Sequence, residues 1–207
     1  MFKMSGEKTP FRLGVTGGIG SGKTSVCRVF SVLNVPVFSA DREASEIMDN
    51  DASLKISLNT IVNRDLYLSG KLDRAALATL IFNDKSLLQK VNELVHPAVF
   101  ERFRNWAVKQ ATPYIIMEAA ILFESGARQF VDRVATVFAP EDERVQRVIA
   151  RSRLTREQVQ ERMKNQISDE SRISQSDYLI PNAENDMIIP VVLNIHDDIL
   201  NYIKTKP

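Results

Sequence analysis

An α/β fold on an open parallel sheet, with helices on both faces, is the class this 207-residue sequence predicts, and three observations carry it. Apolar runs recur along the chain, two of them continuous rather than alternating, as strands covered on both faces require. Helical patterns separate the runs, and parallel neighbours need such crossovers. A glycine-rich loop joins the first run to the first helical pattern.

The first run is Leu13-Gly14-Val15-Thr16, followed after the glycine loop by Thr24 to Leu33, where Val26, Val29, Phe30 and Leu33 keep helical spacing. Val35-Pro36-Val37-Phe38 reads as a second short strand. Tyr114-Ile115-Ile116-Met117 and Val134-Ala135-Thr136-Val137-Phe138 are the continuous runs, and Tyr178-Leu179-Ile180 is a fifth candidate. Roughly seventy residues separate the second strand from the third, against about a dozen in an ordinary crossover. Their helical patterns, broken by the one glycine Gly70, predict an inserted helical subdomain over about 43–111. A second excursion, about 141–176, is helical and arginine-rich, with Thr155 and Gln158 spaced as a capping box, and reads as a lid. The core is then assembled from about 11–42, 112–140 and 177–207, within a single domain.

The chain is 44% hydrophobic and 26% charged, enough for one sizeable core. Lys and Arg number 27 against 26 Asp and Glu, a formal charge of +1, so no overall electrostatic pull toward nucleic acid or membrane exists and any anion site must be local. Cys27 is the only cysteine, which excludes an intramolecular disulfide, a zinc cluster or a redox pair, and fits a reducing cytoplasm. No apolar run approaches a membrane span, and Met1 to Pro10 lacks the apolar middle of a signal peptide and reads as a loose tail.

Gly17-x-x-x-x-Gly22-Lys23-Thr24 fits a nucleotide-phosphate loop in spacing and in its strand-to-helix context. Glycines let successive backbone N–H groups turn inward around phosphate oxygens, so Gly18, Ile19, Gly20, Ser21, Gly22, Lys23, Thr24 and Ser25 are candidates to hold ATP, with the following helix N-terminus adding to the attraction. Lys23 is expected at the β- and γ-phosphates and the Thr24 hydroxyl on Mg²⁺. A glycine turn that merely tightens the junction is the bland alternative. Neither Asp-x-x-Gly nor Asn-Lys-x-Asp occurs, so the usual guanine-reading elements are missing and adenine is favoured.

Transfer to an alcohol calls for a carboxylate beside the hydroxyl. Asp41, just past the second strand, is the candidate, with a helix N-cap for Arg42 to Met48 as its alternative. Glu118, ending the third strand, suits Mg²⁺ held through water, or is an ordinary strand-end carboxylate; Glu124 is a weaker candidate. His96 precedes Pro97, and a helix boundary there accounts for the pair. Arg144, Arg147 and Arg151 share one helix face, with Arg153 and Arg156 beyond. They suit anionic phosphoryl groups, or ion pairs with Glu141 or Glu143.

Taken together, Thr16 to Thr24, Ala40-Asp41, Gly70-Lys71-Leu72-Asp73-Arg74-x-x-Leu77, Phe82, His96-Pro97, Ile121-Leu122-Phe123-Glu124, Arg147-x-x-x-Arg151, Gln166 and Asp177-x-x-x-x-Asn182 resemble the dephospho-CoA kinases. The likeness runs from Leu13 to about Asn182. It implies a P-loop kinase sheet of about five strands in order 2-3-1-4-5, and Mg·ATP-dependent phosphorylation of dephospho-CoA at its ribose 3′-hydroxyl. It further implies Asp41 as catalytic base, Lys23 and Thr24 on phosphate and metal, Arg147 and Arg151 as lid arginines facing phosphates, and Asn182 near the adenine. The insertion, with Arg74, His96 and Pro97, is implied to hold the CoA moiety, and Glu124 belongs with the substrate-side residues. Ala120 and Arg144 depart from the family's usual proline and glutamine. A soluble monomer that binds neither nucleic acid nor membrane is expected. Two other readings remain: a kinase of another small alcohol or nucleotide, and a nucleotide-dependent binding protein with little chemistry of its own.

Overall fold

The computed structural model describes residues 9–82, 84–152 and 154–205, and these form two compact units, one of the described residues up to 39 and from 106 onward and the other of the described residues within 40–105. The first carries a five-stranded sheet of β1 (Phe11–Gly17), β2 (Val37–Ser39), β3 (Tyr114–Glu118), β4 (Arg133–Phe138) and β5 (Tyr178–Pro181). The order is β2-β3-β1-β4-β5, and every pairing is parallel. All five expected strands and their order are observed, with β1 reaching two residues further toward the N-terminus than the apolar run.

Strand alternation sends neighbouring residues to opposite faces. Leu13 and Val15 of β1 join Tyr114 and Ile116 of β3 in a core closed by Val26, Cys27 and Phe30 of α1 (Lys23–Val32) and by Val192, Ile195 and Ile199 of α9 (Ile188–Thr205). On the other face, Gly14 lies against Leu122 and Val131, leaving no room for a side chain. Leu13, Val15, Phe30, Val192 and Ile199 are fully buried, each stabilising the unit by about 1.5–3 kcal/mol relative to exposure. The arginine-rich excursion consists of α6 (Glu141–Arg151), α7 (Arg156–Lys164) and α8 (Asp169–Ser174). Its expected capping box is formed: Gln158 N–H donates to Thr155 Oγ1 at 3.3 Å, and Thr155 N–H donates to Gln158 Oε1 at 2.9 Å.

The second unit is helical. It holds α2 (Ala40–Asn50), α3 (Ala52–Val62), α4 (Arg74–Phe82) and most of α5 (Lys85–Ala107). Carboxylates start three of these helices, α3, α4 and α5: Asp51 accepts from Leu54 N–H at 2.9 Å, Asp73 from Ala76 N–H at 2.9 Å, and Asp84 from Leu87 N–H at 2.9 Å. Glu43, nearly buried on α2, is paired by Arg102 of α5 at 2.7 Å.

His96-Pro97 does not mark a helix boundary. Pro97 lies inside the 23-residue α5, where it removes one N–H from the helical ladder at a cost of about 3 kcal/mol. Val91, Val95, Val99 and Phe103, four residues apart and all buried, explain why the helix continues. A stripe of that kind contributes about 1.5–3 kcal/mol per side chain, more in total than the proline costs.

Candidate active site

The glycine loop runs from the end of β1 to the start of α1 and leaves the carboxyl end of the central strand, where open parallel sheets bind their ligands. Its shape depends on positive φ angles, 81° at Gly20 and 93° at Gly22, that disfavour any residue with a Cβ. Space forbids one as well, because a Cβ on Gly20 would strike the Arg144 backbone and one on Gly22 the Asn182 amide.

Lys23 folds back over the loop, its Nζ donating to the carbonyls of Gly17 at 2.9 Å and Gly18 at 3.4 Å. Thr24 Oγ1 donates to Glu118 Oε1 at 2.9 Å. The parallel register explains that meeting, since Glu118 ends β3 opposite Val15 of β1. A hydroxyl and a mostly buried carboxylate thus converge beside the phosphate loop, a hard-oxygen pair suited to Mg²⁺. Cys27, one turn along α1, has its thiol pKa raised chiefly by burial and further by the Glu118 charge, with Lys23 opposing. It stays protonated and serves as packing.

Three side chains from distant parts of the sequence brace the loop. Gln166, just after α7, accepts from Ile19 N–H at 2.9 Å and donates to Ala120 O at 2.9 Å. Asn182, just after β5, donates to Ser21 O at 2.7 Å. The Arg144 guanidinium lies against Gly18. The sequence placed Asn182 beside the adenine and Gln166 nowhere in the site; in the structure both hold loop backbone. No periodicity marks such residues; the resemblance includes both of them without giving either a hold on the loop, and the physical signal was that a loop rich in turned-in N–H and C=O groups needs side-chain partners.

The arginines diverge along α6. Arg144 is buried and pairs with Asp169 at 2.6 Å. Arg147 is half-buried, donating to Asn182 O at 2.8 Å and to Glu143 at 2.9 Å. Arg151 ends the helix exposed, and Arg156 pairs with exposed Asp142 at 3.1 Å. Arg153 lies outside the described residues. Glu124 accepts from Ile167 N–H at 2.9 Å, which ties it to the segment that carries Gln166.

In the second unit, Asp41 sits in the first turn of α2, two residues beyond the end of β2, so it is a helical residue and not the cap before one. Arg74 pairs with Asp49 at 2.7 Å and donates to Ser45 O at 3.2 Å, fastening α4 to α2. His96 contacts the Phe100 ring at a centroid distance of 6.1 Å, and burial lowers its pKa, which favours the neutral imidazole. Pro97 is exposed.

A loop of this sequence at the end of β1, in an all-parallel 2-3-1-4-5 sheet with a hydroxyl and a carboxylate beside it, defines the P-loop kinase class. Within that class the comparison with known proteins is specific. The profile of the dephospho-CoA kinase family matches residues 11–187, and the chain belongs to that family. Its reaction is accordingly the ATP-dependent phosphorylation of dephospho-CoA in coenzyme A biosynthesis. The dephospho-CoA kinase of Bacteroides fragilis is 36% identical over 185 residues, covering 89% of this chain and 90% of that one. That of Porphyromonas gingivalis is 35% identical over 184 residues, covering 88% and 91%. The solved dephospho-CoA kinase from Campylobacter jejuni shares the fold, with a TM-score of 0.67 at 23% identity over 92% of this chain and 98% of that one.

Proposed function

We propose that the γ-phosphoryl group of ATP passes in line to the ribose 3′-hydroxyl of dephospho-CoA, with Asp41 as general base and the Gly17–Thr24 loop holding the donor phosphates. The acceptor oxygen forms the new bond to Pγ, the bond from Pγ to the β,γ-bridging oxygen breaks, and ADP leaves. The hydroxyl proton goes to the Asp41 carboxylate. Phosphoryl transfer needs positioning and charge neutralisation more than covalent chemistry from the protein. The observation that carries this reading is the convergence of Lys23, Thr24 and Glu118 on one loop, with an acid two residues past β2, the strand paired with the β3 that ends in Glu118.

The loop amides and Lys23 bind the β- and γ-phosphates, and Arg147 and Arg151 of α6 neutralise charge on the transferring group. Arg147 would have to exchange its bonds to Glu143 and Asn182 for phosphate oxygens. Asn182, holding the Ser21 carbonyl, lies on the side of the loop assigned to the adenosine. Thr24, with Glu118 through water, would hold Mg²⁺, which would supply charge neutralisation for the donor phosphates. The helical unit of residues 40–105, with Arg74, His96 and Pro97, receives the CoA moiety, and Glu124 lies on the acceptor side. The enzyme acts as a cytoplasmic monomer; its single, buried cysteine suits a reducing compartment.

The decisive experiment is an ADP-release assay with purified protein. ADP should form only when Mg·ATP and dephospho-CoA are both present, with phosphate found on the 3′-oxygen. Faster turnover of an ordinary nucleoside monophosphate would instead assign a different acceptor. The metal assignment has its own test. Thr24→Val and Glu118→Gln should each raise the Mg²⁺ needed for half-maximal rate about tenfold, as the loss of one hard ligand contact implies. Unchanged Mg²⁺ titrations would remove both residues from the metal site.

A further inference from the structure

Arg144 is the most deeply buried of the arginines on α6, with 7% of its side chain exposed. It meets the phosphate loop twice: its guanidinium lies against Gly18, and its backbone lies against Gly20. Its Nη2 donates to Asp169 Oδ2 at 2.6 Å, while the other oxygen of that carboxylate receives Arg172 Nη1 at 2.5 Å. Arg172, whose side chain is 2% exposed, also donates to Ile167 O at 2.8 Å, next to the Gln166 that holds Ile19. Two guanidinium groups therefore share one carboxylate. Glu124, exposed, accepts from Ile167 N–H of this segment at 2.9 Å.

Among the described residues the cluster sets two guanidinium groups against one carboxylate, whose side chain is 26% exposed, and the Nε atoms of both arginines are buried with no hydrogen-bond partner there. A buried cationic excess is unfavourable unless an anion approaches it. The phosphate loop, whose ligand is a polyanion, lies directly against it.

We propose that Arg144 is a positioning residue for the donor nucleotide: with Asp169 and Arg172 it fixes the Gly17–Gly20 turn, and its surplus charge is offset when triphosphate enters the loop. The assignment rests on reading that loop as the ATP site. Arg144 acts through the loop backbone and through the field across it. The ligand-free protein bears the cost of the unbalanced charge and the nucleotide complex recovers it. A purely structural arginine would behave in the opposite way, stabilising the empty protein and leaving nucleotide affinity alone.

Arg144→Gln keeps a polar side chain and leaves Asp169 balanced by Arg172. The dissociation constant for Mg·ATP, from calorimetry, should rise about tenfold, the scale of one solvent-screened charge interaction. The KM for dephospho-CoA should stay within about twofold, and the melting temperature of the ligand-free variant should be no lower than that of the parent. Arg144→Lys, which retains the charge, should recover most of the ATP affinity. The proposal is overturned if Arg144→Gln binds ATP within about twofold of the parent, if its lost affinity is not recovered by Arg144→Lys, or if the variant fails to fold. Lys23→Ala measured alongside separates the two layers. If that variant also binds ATP normally, the loop is not the phosphate site and both readings fall. If Lys23→Ala weakens binding and Arg144→Gln does not, only the role of Arg144 falls.

Discussion

Asp41→Asn should lower kcat for dephospho-CoA phosphorylation by about 10²–10⁴, the range general bases contribute, and leave the KM for ATP nearly unchanged. The amide keeps the size and one hydrogen-bond acceptor of the carboxylate but cannot take the hydroxyl proton. It also removes a negative charge from the first turn of α2, where an acid is favourable by about 0.3–1 kcal/mol. That loss is too small to unfold the helical unit, which is fastened by Glu43–Arg102 and Arg74–Asp49 and by the buried side chains of α2, α3 and α5. A melting temperature close to that of the parent together with a collapsed kcat is therefore the expected pair of results. Turnover at the parental rate would remove Asp41 from the chemistry and leave it as a first-turn acid only.

Lys23→Ala should reduce kcat by about 10²–10³, as loss of a single preorganised charge on a developing anion does, and should weaken ATP as well. In the ligand-free protein the ammonium is held by the Gly17 and Gly18 carbonyls. Those bonds keep the charge within the loop until phosphate oxygens replace them. Removing the side chain leaves the Gly18 carbonyl its bond from Ser21 N–H at 3.1 Å and costs the Gly17 carbonyl one partner, about 1–3 kcal/mol at most, so the protein should still fold. Steady-state kinetics over a range of ATP, with a thermal melt as control, tests this. A variant that merely loses stability, with normal kcat on its folded fraction, would contradict it.

Much of this protein was legible from its sequence because the informative features are local. Continuous apolar runs located β3 and β4 almost to the residue, since a strand covered on both faces needs no polar alternation. Thr155 and Gln158 announced the start of α7 because a capping box lies within four residues. The phosphate loop was plain because its glycines answer to backbone geometry at fixed spacing. What escaped detection is long-range. Pro97 is a strong local stop signal, and only the buried face of α5 shows why it was overridden. Gln166 and Asn182 reach the loop over 147 and 161 residues of chain, a relationship that no window of sequence contains. The same distance hid Arg144: its helical face grouped it with Arg147 and Arg151, but burial beside Gly18 and Asp169 gives it a different task.

The order of the sheet also bears on how the chain is made. β1, the first of the described strands in chain order, is the middle strand of the sheet, and its two partners β3 and β4 begin only at Tyr114 and Arg133. At about 5–20 residues per second, the nascent chain carries this apolar strand with one or both edges bare for on the order of ten seconds. An unpaired edge of that kind is a template for association with other chains. The nascent chain is thus exposed to association through this strand, and α1, which follows β1 directly and packs on its face, covers that face while its edges wait for β3 and β4.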